Sequence, residues 1–183
     1  MSRLSCRGRR FVSAVLPLLF GLCATPPAEA ADPPAARPRW RRVYLDDTVA
    51  GSALRDALAD AAQRLENDRC RSILSAPDFV DGSGRPLADR LASLGMDPAE
   101  YLGIIVFQDG TGARRCQETA LAFTEPGSRI VYVCSQRFRS EWRANTRYAR
   151  ATVIHETLHT LGLGENPPSS QAISETVLSY CYR

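Results

Sequence analysis

The stretch ATVIHETLHTLGLGEN, residues 151–166, decides how this chain of 183 residues is read. It holds both histidines of the protein, His155 and His159, with Glu156 directly after the first. On an α-helix, residues i and i+4 lie one above the other on the same face, so both imidazoles can reach one metal ion. Glu156 sits about 100° further round the helix, within reach of a metal-bound water and clear of both ligands. Val153, Ile154, Leu158 and Leu161 recur at helical spacing and give this helix a buried face. Gly162 follows where a helix can end in a left-handed residue at little steric cost. The chain then reverses, and Glu165 is placed to fold back toward the metal, while Pro167 and Pro168 prevent the helix from resuming.

Imidazole nitrogen and carboxylate oxygen are both donors to zinc, and a catalytic zinc site takes three protein ligands and keeps one position open. His155, His159 and Glu165 are therefore the expected ligands of Zn²⁺, and Glu156 is the expected general base, the His-Glu-x-x-His arrangement of metalloproteases. Glu175 is the alternative third ligand. The series His155-Glu156-x-x-His159-x-x-Gly162-x-x-Glu165 resembles the extended zinc signature of the metzincin peptidases. The resemblance is confined to residues 155–165 and departs from the family in two ways. Metzincins usually carry His or Asp where this chain has Glu165, and they place a methionine turn beneath the metal, whereas no Met follows Met96 here. The chain is thus metzincin-like, a minimal zincin. With Glu175 as third ligand it would instead resemble the gluzincins, whose glutamate comes from a following helix, but the spacing favours Glu165. The resemblance implies an α+β, zincin-like fold: a small mixed or antiparallel sheet packed on a long active-site helix, with a backing helix and a C-terminal helix.

Residues 1–30 read as a signal peptide. Arg3, Arg7, Arg9 and Arg10 form a charged start, an apolar run spans 11–24, and Ala28-Glu29-Ala30 is a small-x-small cleavage site. The run is too short for a membrane span, so secretion or a periplasmic location is expected after cleavage near Ala30, with no stable membrane insertion. Lipid attachment at Cys23 is not expected, because Leu22 is larger than the small residue that should precede it. The whole chain has 23 basic and 20 acidic residues; without the four arginines and Glu29 of the leader, 19 face 19. A net charge near zero leaves no basic footprint for nucleic acid. Residues 31–42 are Pro-, Ala- and Arg-rich and read as a flexible arm, which leaves residues 43–183 as one catalytic domain large enough to bury a core.

Four cysteines follow the leader, Cys70, Cys116, Cys134 and Cys181, and an even count in an exported chain points to disulfides. Three pairings are possible; Cys116 and Cys134 flank an apparent hairpin turning at Glu125-Pro126-Gly127-Ser128 and can lie nearly opposite each other, so Cys116–Cys134 and Cys70–Cys181 are expected. Apolar periodicity predicts a helix from about Val49 to Asn67, a helical turn over 70–74, and a short helix through Leu87, Leu91 and Leu94 ending at Gly95. Asp97-Pro98 starts another brief helix. Strands are expected over 103–108, 117–124 and 129–134. One long helix is expected from about Arg139 to Leu161, and a last helix capped by Ser169 or Ser170.

The expected function is a secreted zinc-dependent metalloendopeptidase acting on protein or peptide substrates. Two other readings use the same residues: a disulfide-stapled binding or structural domain with a non-catalytic zinc, and a zinc amidohydrolase acting on a non-peptide substrate. Tyr180 and Tyr182 are candidate oxyanion donors, with packing the alternative role for each. Nothing in the sequence reports the oligomeric state.

Overall fold

The computed structural model describes Trp40 and residues 42–183; the leader and, in the arm, residues 31–39 and Arg41 lie outside the described residues. Among the described residues the chain is mixed α+β, with eight α-helices and a four-stranded mixed sheet. The end of the arm is tied down: Trp40 packs partly buried against the core, and the Arg42 carbonyl accepts a hydrogen bond from the Phe107 amide.

Strand β1 (Val43–Tyr44) leads into helix α1 (Thr48–Leu65), which Asp47 caps by accepting from the Val49 and Ala50 amides. One face of α1, from Ala50 through Leu54, Leu58 and Ala61 to Leu65, is buried, as its periodicity requires. Helix α2 (Asp68–Arg71) and a 3₁₀ turn (Ser72–Ser75) follow, then α3 (Leu87–Ser93) and α4 (Pro98–Ile104). A reciprocal capping box between Asp97 and Glu100, with Pro98 in the first turn, starts α4 and drives it through Gly103 and Ile104. The strand expected over 103–108 is therefore shorter, β2 at Val106–Asp109. It ends before Gly110, where close packing excludes a side chain: a Cβ there would lie 2.9 Å from Tyr132 Cβ.

Helix α5 (Arg114–Gln117) takes the start of the segment expected as a hairpin arm, leaving β3 only Ala122–Phe123. Its partner β4 (Ile130–Val133) pairs with it antiparallel, Ala122 opposite Val133. The turn between them is the expected one, with Gly127 at φ +81° and the Ser128 amide donating to the Glu125 carbonyl. The order is β1-β2-β4-β3, with β1, β2 and β4 parallel, so β1 and β3 are the edges.

The long helix expected from Arg139 to Leu161 is two helices, α6 (Ser135–Ala144) and α7 (Thr146–Thr160). Asn145 breaks it, at φ −148° and ψ 73°, because its side chain caps α7 by accepting from the Tyr148 amide. Every residue from Val153 to Thr160 is buried, since α7 packs against α1, α6, the sheet and the last helix, α8 (Ser170–Cys181). Ser169 caps α8 by accepting from Ala172, and Ile173 and Val177 are buried beneath it.

Two disulfides close the fold with the expected pairing. Cys116–Cys134 joins α5 to the start of α6, and Cys70–Cys181 joins α2 to the end of α8.

Candidate metal centre

The end of α7 is built to present its histidines. The Gly162 amide donates to the His159 carbonyl and the Leu163 amide to the Leu158 carbonyl, a Schellman motif that needs a left-handed residue at its turn. Gly162 supplies it at φ +113°, and a Cβ there would lie 3.0 Å from Asp81 Cβ. The His159 carbonyl also accepts from the Gly127 amide at 2.8 Å, which docks the tip of the β3–β4 hairpin on the end of the helix.

The reversed chain serves the imidazole it has just passed. The Leu163 carbonyl lies 2.7 Å from His159 Nδ1. A carbonyl can only accept, so Nδ1 carries the proton, and in the neutral ring Nε2 presents a lone pair. His155 Nδ1 lies 3.0 Å from the Ser174 hydroxyl on α8. The two Nε2 atoms face each other at 3.0 Å. One shared proton can bridge them; alternatively both rings keep their protons on Nδ1 and aim two lone pairs at one cation. The Nδ1 of each ring is held by an oxygen, the kind of support a metal-ligating imidazole needs.

Glu165 completes the set from the loop after the turn. Its Oε1 lies 3.3 Å from His159 Nε2 and 4.0 Å from His155 Nε2, and the three donor atoms all fall within 4.8 Å of one another. His155, His159 and Glu165 can thus hold a metal ion. Glu175 is placed elsewhere: it is exposed on α8, where its carboxylate accepts from Gln171 Nε2.

Burial sets the electrostatics. Desolvation, reinforced by His159, drops the His155 imidazole from its ordinary 6.5 to about 3, so the ring stays neutral and available as a donor. Glu156 is buried, and its Oε2 has no hydrogen-bond partner. Desolvation, with the Glu165 charge adding and Arg115 opposing, pushes its carboxyl up to about 8. An unpartnered carboxyl oxygen lining the same cleft as two imidazoles fits an ion and a water in front of the helix.

These side chains form the floor of an open cleft of about 710 Å³. The segment from Leu121 to Thr124, which contains edge strand β3, lines it on one side, and Tyr148, Thr152, His155, Glu156 and His159 line it from α7. Glu141 lines it from α6 and Ser174 from α8. Tyr182 lies outside it: its hydroxyl donates to Asp60 and its ring packs under the Arg64 guanidinium at 3.8 Å. Tyr180 packs against the core. The cleft tyrosine is Tyr148, which the sequence reading missed, as it did Ser174 and Glu141. Tyr148 had a local signal, lying on the α7 stripe seven residues before His155; the other two had none.

Against this geometry, the chain matches no protein-family model, and no curated protein or solved structure is significantly similar to it.

Proposed function

We propose that this protein is a secreted, zinc-dependent endopeptidase of metzincin-like, minimal zincin type. The observation that carries the reading is the meeting of three donor atoms within 4.8 Å at the floor of an open cleft, beside a buried glutamate with an unpartnered oxygen. Two imidazoles and one carboxylate suit zinc better than the hard cations that prefer oxygen alone. Bonds of about 2.0–2.1 Å in a tetrahedral site put ligand atoms about 3.3 Å apart. The separations here are 3.0, 3.3 and 4.0 Å.

Bound there, zinc supplies a Lewis acid that lowers the pKa of a water to about 7 and polarises a carbonyl. The chain's own groups supply the rest. With a cation held by His155, His159 and Glu165, Glu156 would be favoured in its ionised form. Glu156 then takes the water's proton on its free Oε2 and returns it to the leaving amine. Leu163 and Ser174 hold the two rings in register. Edge strand β3 offers backbone groups to which an extended peptide can add as a further strand, which favours a polypeptide over a small amide.

Among the described residues the donor group has three members, not four, and the cleft opens above it; that favours turnover over a closed structural site. The two disulfides fit the oxidising compartment that the leader implies. The test is a pair of variants. Glu156→Gln should keep zinc and lose peptide hydrolysis, and retained turnover would remove the proposed base. His159→Ala should lose the metal, and an unchanged zinc content by elemental analysis would sink the ligand set.

A further inference from the structure

The cleft continues well beyond the metal centre. Tyr148 lies seven residues before His155 on α7, about 10 Å along the helix axis. An extended peptide advances about 3.4 Å per residue, so one laid along α7 would cover that distance in about three residues. The break at Asn145 shapes it. The Asn145 amide donates to the Glu141 carbonyl at 2.7 Å, and its side chain accepts from the Tyr148 amide at 3.2 Å, which pins the two cleft residues to one elbow. An unbroken helix would carry Glu141 about 20 Å from His155 along a single axis. The elbow instead turns α6 so that Glu141 lines the same cleft.

The charges along the cleft are largely committed. Glu156 and Glu165 belong to the metal centre, and Glu118 pairs with Arg114 at 3.3 Å. Arg115 lies 4.0 Å from Glu125, with its guanidinium 5.7 Å from the centre of the Phe123 ring. Glu141 is different: among the described residues it bonds only through its backbone, and its half-buried carboxylate has no ion-pair partner. A lone carboxylate and an aromatic residue at one end of a substrate cleft match a cationic side chain, by charge and by cation–π attraction. We infer that the Glu141–Tyr148 end of the cleft is a specificity subsite for a lysine or arginine of the substrate, about three residues from the bond cleaved. The inference rests on the peptidase reading for its register, but the subsite can be tested without turnover.

The experiment measures binding of fluorescein-labelled Ala/Gly hexapeptides, each with one Lys, Arg, norleucine or Glu, to the full zinc-loaded chain carrying Glu156→Gln. At one position Lys and Arg should bind about fivefold tighter than norleucine, an advantage that falls as salt is added. Adding Glu141→Gln should abolish the preference, and Glu141→Arg should shift it to Glu. Equal binding of Lys and norleucine peptides at every position would overturn the subsite, as would a preference that survives Glu141→Gln or a wild-type preference for Glu, which points to Arg115. If the basic peptides bind as expected but the wild-type protein cuts none of them, the subsite stands and the peptidase reading falls.

Discussion

Replacing Glu156 by Gln in the metal-free protein should change how stability depends on pH. The Glu156 carboxyl moves from 4.5 in the unfolded chain to about 8 in the folded one, because burial disfavours its charge. Between those values the folded state holds a proton that the unfolded state has released. Its contribution is therefore complete below pH 4.5 and is lost as pH rises through 8. His155 acts in the other direction: unfolded it binds a proton below 6.5, while folded it resists down to about 3, so its contribution is lost as pH falls below 6.5. From pH 6.5 to 8 Glu156 is the larger change of the two, because the unfolded His155 has only half a proton left to release there. At up to about 1.4 kcal/mol per pH unit, tapering as pH nears 8, the wild-type protein should lose about 1–2 kcal/mol across that window. Gln has no proton to exchange, so the variant should lose nothing there. Its absolute stability will be offset by an amide without partners in the same site, so the slope is the readout. Urea denaturation of chelator-treated protein, followed by tryptophan fluorescence at half-unit steps of pH, measures it. Parallel curves for the two proteins would refute the buried, unpartnered state assigned to Glu156.

Three further outcomes are expected. Ser174→Ala should weaken zinc binding about 10- to 100-fold in competition titrations, with Thr restoring much of it; unchanged affinity would reduce Ser174 to packing. Gly162→Ala should cost about 1–3 kcal/mol in chemical denaturation, from the left-handed φ and the close approach to Asp81, and an unchanged midpoint would contradict the turn. Opening Cys70–Cys181, which spans 111 residues, should cost about 4–5 kcal/mol against about 3 for Cys116–Cys134, which spans 18; the reverse order would show that loop entropy is not what these bridges contribute.

Elements with a local cause were legible in the sequence. The α1 stripe, the Asp97-Pro98 start, the Pro-Gly turn at 126–127 and the Ser169 cap each depend on residues within one or two turns of each other. The errors came where one local signal outweighed another. An apolar run such as Ile104-Ile105-Val106 is compatible with helix or strand, and the Asp97–Glu100 capping box, which starts α4 seven residues before Ile104, took its first part for the helix. The helix expected from Arg139 to Leu161 runs straight through Asn145. The Asn145 side chain instead bonds the Tyr148 amide and begins a new one.

The donor set belongs to the legible part. His155, Glu156 and His159 share one helix, Gly162 must turn it, and Glu165 follows within a few residues, so their meeting depends on short-range geometry. The cysteine pairing was legible for a related reason, since one hairpin assigned two of four partners and left the others no choice. The surroundings of the centre were decided by tertiary packing. Ser174 reaches His155 because α8 lies against α7, and β3 forms the cleft wall because Gly127 docks on the His159 carbonyl. Glu141 faces the same cleft because a helix bends at Asn145. Those residues come from segments whose separation in sequence says nothing of their distance in space, and only the burial of a shared core brings them to one place.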